Sequence, residues 1–224
     1  MASNIEAIHQ FIEYFQKQDA CISAVHPILY RKIIYAIALD PIARAAFGKD
    51  GRHRDRSLRL IAELTDWGDG DGNRVSLPQL CLALENKGFP SESLYKEAKE
   101  RLKRWSSGEV LRLNNSPEFK ELETIAQPYE KPLLNSCRYA ELFYTYRNNL
   151  VHEFREPGHG IEMSSDKDQP YYHSMIGDQW QLVFPVGFFA RLYAEALGGL
   201  RALLLRRDID PFSQFEFGSR WQSK

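Results

Sequence analysis

The chain of 224 residues carries 29 basic and 30 acidic side chains, which gives a formal net charge of −1 at pH 7. This balance excludes an overall charge that attracts nucleic acid, so any RNA contact has to come from a local patch. The three cysteines are widely spaced and form no C-x-x-C pair, which argues against a disulfide framework or a zinc cluster.

The length and apolar content suit one generous domain, or one domain with an extension. Residues 1–10 lack the basic segment and apolar run of a signal peptide, and no stretch offers about 18 consecutive apolar residues. We therefore expect a cytoplasmic protein with no membrane partner. The expected organisation is an N-terminal helical extension (1–24), a helical domain (25–207) and an aromatic C-terminal tail (208–224).

Two helical patterns open the chain. Residues 5–15 place isoleucine and phenylalanine at helical spacing, which predicts a short amphipathic helix. A second helix is predicted from just after Pro27 to residue 38. Pro41 either kinks or ends that helix, because proline blocks a helical hydrogen bond, and residues 42–47 continue or restart it.

The segment 49–56 is rich in lysine, arginine and histidine. A solvated turn is the ordinary interpretation of such a charge run. A patch that follows a phosphate backbone is the functional interpretation. Ser57 is predicted to cap the next helix.

Residues 68–73, with the sequence GDGDGN, resemble half of a calcium-binding loop. Arg74, however, stands where that loop needs a glycine, and Leu80 stands where it needs a bidentate glutamate. The pattern therefore favours a plain glycine-rich turn.

Serines mark the expected helix starts in the middle of the chain. Ser76 begins a capping box with a proline in the first turn, Ser91 precedes a further helix, and Ser116 opens a third. Pro128 and Pro132 then form a rigid connector into the next helix.

A long helical pattern begins near Leu133 and is expected to stop at Pro157-Gly158. Its main apolar stripe consists of Tyr139, Leu142, Phe143, Tyr146 and Leu150. A second, smaller stripe consists of Cys137, Ala140, Tyr144 and Val151. Arg147 and His152 flank the second stripe, roughly 140° apart on a helical wheel. A helix with two apolar faces has two partners, so the second stripe predicts contact with another copy of the chain.

The last part of the chain combines a hairpin pattern with a helix. Two strand-like runs, 171–175 and 180–184, surround a turn at Gly177-Asp178 and predict a small β-hairpin. Residues 186–205 predict the last helix of the bundle, in which Gly198-Gly199 marks a close helix contact or a kink. The aromatic tail, with Phe212, Phe215, Phe217 and Trp221, is expected to dock on the domain or on a partner.

The sequence Arg147-Asn148, three further residues and His152 resembles the R-x4-6-H motif of HEPN domains, in which Asn, Asp or His usually follows the arginine. In that family the motif lies toward the end of the third helix of a helical bundle. The resemblance covers roughly residues 25–207 and is specific around 139–155. It implies an all-α fold, a HEPN-like up-down helical bundle, here with a small β-hairpin inserted before the last helix.

The resemblance also implies an activity, because many members of the family are ribonucleases that need no metal and no cofactor. Arg147, Asn148 and His152 would then be the catalytic residues of an endoribonuclease. Arginine offers a bidentate phosphate fork, and histidine moves protons near neutral pH. Asn148 shares a helix face with His152 and is placed to orient the imidazole or the phosphate.

The family implies partners as well. RNA is the expected substrate, and an antitoxin or regulatory protein is a partner of a toxin–antitoxin or antiviral defence system. One chain offers one histidine in the motif, so two-histidine catalysis implies a homodimer in which Tyr144, Arg147, Val151 and His152 approach their symmetry mates.

Two further functions remain open at this point: a non-catalytic HEPN-like module that binds RNA or protein, and a nucleotide-binding sensor. On a purely structural interpretation, Arg147 pairs with Glu141 or Glu153, and His152 caps the helix end through the helix dipole.

Other catalytic arrangements fit less well. Cys137 and His152 would be about 22 Å apart along one helix, too far for a dyad. His152, His159 and His173 have no recognised metal-ligand spacing. No P-loop, dinucleotide fingerprint or nucleophile elbow appears.

Overall fold

The computed structural model describes residues 4–49, 51–90, 92–106, 108–158, 162, 167–174 and 180–215. These residues form a mainly helical protein with one small antiparallel sheet. The helices are α1 Ile5–Ser23, α2 Ile28–Phe47, α3 His53–Leu64, α4 Asp66–Asp69, α5 Leu77–Asn86, α6 Ser93–Leu102, α7 Phe119–Glu123, α8 Lys131–Ser136, α9 Tyr139–Glu153 and α10 Val186–Arg207. The strands are β1 Val110–Arg112, β2 Tyr171–His173 and β3 Gln181–Val183.

The main hydrophobic core lies between α1, α2, α3, α9 and α10. The longest helix, α10, contacts α1, α2 and α3, so it occupies the centre of this bundle. A Cβ atom added at Gly199 would lie 2.3 Å from the backbone oxygen of Leu64, so the glycine allows α10 to approach α3 closely. The predicted close helix contact at Gly198-Gly199 is therefore confirmed, with Gly199 as the residue that needs it.

A second, smaller core joins α5 and α6 to α7 and α8. Ser76 precedes α5, and its Oγ accepts a hydrogen bond from the backbone N–H of Gln79 at 3.2 Å, which confirms the predicted cap. The cap of α7 is Glu118, in a capping box with Glu121, so the prediction that Ser116 opens this helix is wrong. The predicted cap Ser91 lies outside the described residues, and Glu92 directly precedes α6.

The second helix runs without interruption through Pro41, so residues 42–47 continue it. The next helix, α3, begins at His53 and includes Ser57, whose Oγ donates to the backbone oxygen of His53 at 3.0 Å. The prediction that Ser57 caps α3 is therefore wrong, and half of the basic segment is helical. The glycine-rich segment contains α4 and a short 3-10 helix, Asp71–Asn73, and a Cβ at Gly68 would lie 2.2 Å from the backbone oxygen of Ile61.

The helix that carries the motif is shorter than the sequence predicts. Residues 131–136 form α8, and α9 begins only at Tyr139 because Arg138 has extended backbone angles, with φ −66° and ψ 145°. At its other end α9 stops after Glu153, and Phe154 adopts a left-handed conformation with φ 57°. The expected stop at Pro157-Gly158 is thus about one turn too late.

The sheet contains one strand more than the predicted hairpin. Strands β2 and β3 pair in antiparallel fashion, as expected, but β1 pairs with the other edge of β2 and places Leu111 opposite Tyr172. The predicted turn at Gly177-Asp178 lies outside the described residues. The hydroxyls of Tyr172 and Ser76 are 2.6 Å apart, which connects the sheet to the start of α5.

After α10 the chain turns back over α1. The ring of Phe11 lies 5.4 Å from that of Phe212 and 5.9 Å from that of Phe215, so the expected docking of the aromatic tail on the domain is confirmed for these residues. Phe217 and Trp221 lie outside the described residues. None of the described helices combines the length and apolar character that a membrane crossing requires.

Candidate functional site

Arg147 is held at the junction of α2, α3 and α9. Its side chain is only 6% exposed, and it forms an ion pair with Asp40 on α2. Its Nε donates to the backbone oxygen of Ala36 at 3.4 Å, and its Nη1 donates to Oδ1 of Asn148 at 3.0 Å. The guanidinium is thus fixed by three acceptors, which limits it to one position and one orientation.

The position of Arg147 follows from the periodicity of α9. Tyr146 and Leu150 face the main core, and the next residue round the helix, Arg147, faces the groove between α2 and α3. A buried guanidinium needs a charge partner and hydrogen-bond acceptors. Asp40 supplies the charge, so neither Glu141 nor Glu153 does. Glu141 pairs with Arg54 at 2.6 Å, and Glu153 pairs with Arg155 at 2.5 Å.

His152 lies in the last turn of α9 and is exposed. Within the described part of the chain, the His152 side chain makes no hydrogen bond and no ion pair. It is about 7.5 Å further along the helix axis than Arg147 and about 140° round it. The two motif residues are therefore not in contact within one chain, and Asn148, half-buried on the face between them, accepts its hydrogen bond from Arg147.

A histidine from another element lies beside Arg147. Nε2 of His53, the first residue of α3, is 2.9 Å from Oδ1 of Asp40 and 3.4 Å from Nη2 of Arg147. One carboxylate oxygen of Asp40 therefore contacts Arg147, and the other contacts His53. The ring of Tyr144 covers one side of His53, with centroids 6.3 Å apart.

A pocket of about 270 Å³ opens between α2 and α3 in front of this group. Its polar lining consists of Asp40, Arg44, His53, Arg56 and Ser57, and Phe215 forms part of its wall. Two arginines line the pocket beside the carboxylate of Asp40, and Arg147 stands behind that carboxylate. An anionic ligand is the kind of molecule that such a pocket attracts.

The turn after α9 is fixed by a second buried cluster. Nζ of Lys32, on α2, lies 2.8 Å from Oε2 of Glu156 and 2.5 Å from Oε1 of Glu162. The hydroxyl of Tyr146 donates to the same oxygen of Glu156 at 2.6 Å. Burial, together with the neighbouring Glu156 carboxylate, raises the pKa of Tyr146 well above its usual value, so this hydroxyl remains a donor.

The cluster contains one more negative than positive charge. The backbone N–H of Val186, at the start of α10, donates to Oε1 of Glu162 at 3.0 Å. The positive end of a helix dipole thus faces the extra carboxylate. This arrangement ties the segment that follows His152 to both α2 and α10.

A larger pocket, of about 350 Å³, lies on the opposite side of α9 from Arg147. Its α9 wall includes Thr145, Tyr146 and Asn149, and across from it lie Gln181 of β3 and Trp180, the residue that directly precedes this strand. An indole ring next to side-chain amides can hold a flat polar ring by stacking and edge hydrogen bonds. A nucleobase has that chemistry.

Two members of the Arg147 group, Asp40 and His53, are absent from the motif and were not singled out as site residues. The available signals were an aspartate directly before Pro41, at the end of the apolar run 33–39, and a histidine in the basic segment. Neither signal indicates by itself that the two side chains meet Arg147.

The structure also bears on the other arrangements. Cys137 lies in the break between α8 and α9 rather than on one helix with His152, and burial raises the pKa of its thiol to about 12. His159 lies outside the described residues. Among the residues that are described, no three His, Cys, Asp or Glu side chains are grouped closely enough to hold a metal ion.

The fold and the site define a mainly helical protein in which a buried arginine contacts a carboxylate, and this carboxylate and a neighbouring histidine line a pocket with two arginines. In comparisons with known proteins, no family model, no curated protein and no solved structure matches the chain. The site residues and their surroundings therefore carry the functional argument.

Proposed function

We propose that this protein is a metal-independent endoribonuclease of the HEPN type, acting on RNA in a toxin–antitoxin or antiviral defence system with an antitoxin or regulatory protein as partner. The observation that carries the proposal is the fixed position of Arg147 in the motif helix, next to Asn148 and behind Asp40, which lines a pocket together with two arginines. A preset guanidinium binds a phosphate with little loss of side-chain entropy. The defence setting and its partners rest on the motif resemblance.

The reaction that suits these residues is cleavage of RNA by its own 2′-hydroxyl. The 2′ oxygen forms a bond to phosphorus and gives its proton to a base. The bond from phosphorus to the 5′ oxygen breaks, and the 5′ oxygen receives a proton from an acid. His152 moves a proton, Arg147 stabilises the charge on the phosphate, and Asn148 orients the group. The products are a 2′,3′-cyclic phosphate and a 5′-hydroxyl.

The ion pair with Asp40 sets a condition on this mechanism. Of the five N–H donors of Arg147, three are used by Ala36, Asn148 and Asp40. Two donors remain for a phosphate, but the side chain is almost fully covered. Substrate binding therefore has to open the groove between α2 and α3 or to displace Asp40.

The same burial favours the second candidate, a non-catalytic module that binds RNA or a protein partner. In such a module Arg147 and Asp40 are a structural pair that joins α9 to α2, and His152 is a surface residue. The pocket with Trp180 favours a third candidate, a nucleotide-binding sensor. Cleavage separates the first candidate from both others.

The homodimer belongs to the proposal as well. The second stripe of α9 is largely used within the chain, since Cys137 and Ala140 are buried. Beside it, however, α2 exposes an apolar face, because Tyr30 and Ile37 are 41% and 48% exposed and seven residues apart. The ring of Phe154, directly after the motif, lies 5.5 Å from that of Tyr30. We propose that this face, with Val151, meets a second copy.

The test is RNA cleavage in the presence of EDTA. His152→Ala and Arg147→Ala are each expected to abolish cleavage, and Arg147→Lys to restore little, because lysine keeps the charge and loses the bidentate fork. His9→Ala and Arg155→Ala, at exposed positions, are the matched controls. RNA with 2′-deoxyribose at the cleavage position should resist.

Two results would contradict the ribonuclease proposal. One is cleavage that continues unchanged in His152→Ala. The other is cleavage that requires a divalent metal and leaves 5′-phosphate ends. Because Arg147 is buried, its variants are compared with the wild type by thermal unfolding, so that lost activity is not confused with lost structure.

A further inference from the structure

The histidine next to the motif arginine is His53, and the motif histidine is more distant. His53 is 3.4 Å from Arg147 and shares Asp40 with it, whereas His152 lies about 7.5 Å further along α9 and on another face. A group that moves a proton at a phosphate held by Arg147 has to lie near that phosphate. His53 meets this requirement within a single chain.

The contacts of His53 fix its tautomer. Oδ1 of Asp40 is an acceptor, so Nε2 of His53 carries the hydrogen in their 2.9 Å contact. The other ring nitrogen, Nδ1, has no partner among the described residues, and the ring lines the 270 Å³ pocket. A neutral His53 therefore keeps a lone pair on Nδ1, and the Asp40 carboxylate stabilises the imidazolium that forms when Nδ1 accepts a proton.

The pocket supplies the surroundings that a phosphodiester needs. The guanidinium of Arg44 lies 5.1 Å from the ring of Phe215, and its Nε donates to the backbone oxygen of Gln214 at 2.8 Å. Nη1 of Arg56 donates to the backbone oxygens of Lys49 and Gly51, at 2.9 and 3.0 Å. Because a backbone carbonyl and an aromatic ring do not neutralise a guanidinium, Arg44 leaves positive charge at the pocket.

We propose that His53 is a second proton-transfer residue of this site, that Asp40 is its positioning residue, and that the RNA phosphodiester binds in the pocket between α2 and α3. The inference rests on the proposed function and deepens it. Nδ1 of His53 takes the proton of the 2′-hydroxyl as that oxygen bonds to phosphorus. The bond to the 5′ oxygen breaks, and that oxygen takes its proton from the imidazolium of a His152 that a second copy of the chain brings to the site. No further reactant is needed.

One consequence concerns assembly. The motif alone offers one histidine per chain, so acid–base catalysis by two histidines would need two chains. With His53 as the base, only the acid, His152, has to come from a second copy, because His152 of the same chain lies on another face of α9. Each site of a dimer would then combine His53 of one chain with His152 of the other.

The first arm of the test compares cleavage rates across pH for the wild type, His53→Ala, His53→Gln and the control His9→Ala. Loss of a general base is expected to lower the rate about 10²- to 10⁴-fold. The pH–rate profile of both His53 variants should lose its acidic limb, which the control His9→Ala should keep. Glutamine can still donate to Asp40 but carries no proton, so His53→Gln separates chemistry from misfolding.

The positioning role of Asp40 has its own readout. Asp40→Asn retains a hydrogen-bond acceptor and removes the charge that stabilises the imidazolium. It is expected to move the acidic limb of the profile to lower pH, because His53 becomes harder to protonate. A purely structural role would lower activity without moving the limb.

The second arm uses NMR signals of the histidine rings and needs no cleavage. Inorganic phosphate and a 2′-deoxy oligonucleotide should shift the signals of His53 and leave those of His9 unchanged. Cleavage that is unaffected by His53→Ala overturns the catalytic assignment, and unshifted His53 signals overturn the phosphate site. If the wild type does not cleave RNA, both the proposed function and the role of His53 in proton transfer are refuted. The NMR result then decides by itself whether the phosphate site exists.

Discussion

Replacing Lys32 by methionine tests whether the buried cluster fixes the end of the motif helix. The side chain of Lys32 is 0% exposed, and those of Glu156 and Glu162 are 9% and 17% exposed. Methionine fills nearly the same volume and removes the positive charge that pairs with Glu156 and Glu162. Breaking a buried ion pair in this way costs about 3–5 kcal/mol, because the remaining charges stay buried without a partner. For a chain of this length, the melting temperature should fall by about 6–20 °C.

The measurement is urea and thermal unfolding followed by circular dichroism. Lys17→Met is the matched control, because Lys17 forms an exposed pair with Glu13 and its loss should leave the transition in place. Adding Glu156→Gln and Glu162→Gln to Lys32→Met should recover part of the lost stability, since no unpaired charge then remains. The reasoning would be refuted if Lys32→Met unfolded at the same temperature and urea concentration as the control. It would also be refuted if the triple variant were less stable than Lys32→Met.

Two further predictions concern packing and assembly. Gly199→Ala should cost about 1–3 kcal/mol, because its Cβ would meet the backbone of α3, whereas Gly198→Ala, with no atom within 4 Å of the added Cβ, should gain about 0.5–1 kcal/mol. Urea unfolding of the pair measures both values, and shifts in the same direction would contradict the assigned contact. Light scattering should show a dimer for the wild type and for the control Leu205→Glu but a monomer for Ile37→Glu. A wild-type monomer at all working concentrations would exclude the dimer.

Local patterns in the sequence were sufficient for many elements. The apolar period of α10, the strands β2 and β3 and the cap at Ser76 all depend on residues within a few positions of one another. Capping and periodic burial are short-range effects, so the sequence carries them directly. The motif residues Arg147, Asn148 and His152 were located on one helix for the same reason.

Boundaries were less well predicted where long-range contacts compete with local preference. Strand β1 forms because it pairs with β2, some sixty residues further along the chain, and three residues give little signal by themselves. The break before Tyr139 coincides with an isolated bridge between Val75 and Arg138. A pairing of this kind depends on the position of another element.

The surroundings of the motif arginine were decided by the tertiary structure. Asp40 and His53 are 107 and 94 residues from Arg147 in sequence, and they meet it only because α2, α3 and α9 pack side by side. The sequence determined that an arginine, an amide and a histidine lie along one amphipathic helix, because a period of 3.6 residues fixes their faces. Packing decided that the arginine is buried against a carboxylate with another histidine beside it, since a buried charge requires partners that only the folded chain can bring together.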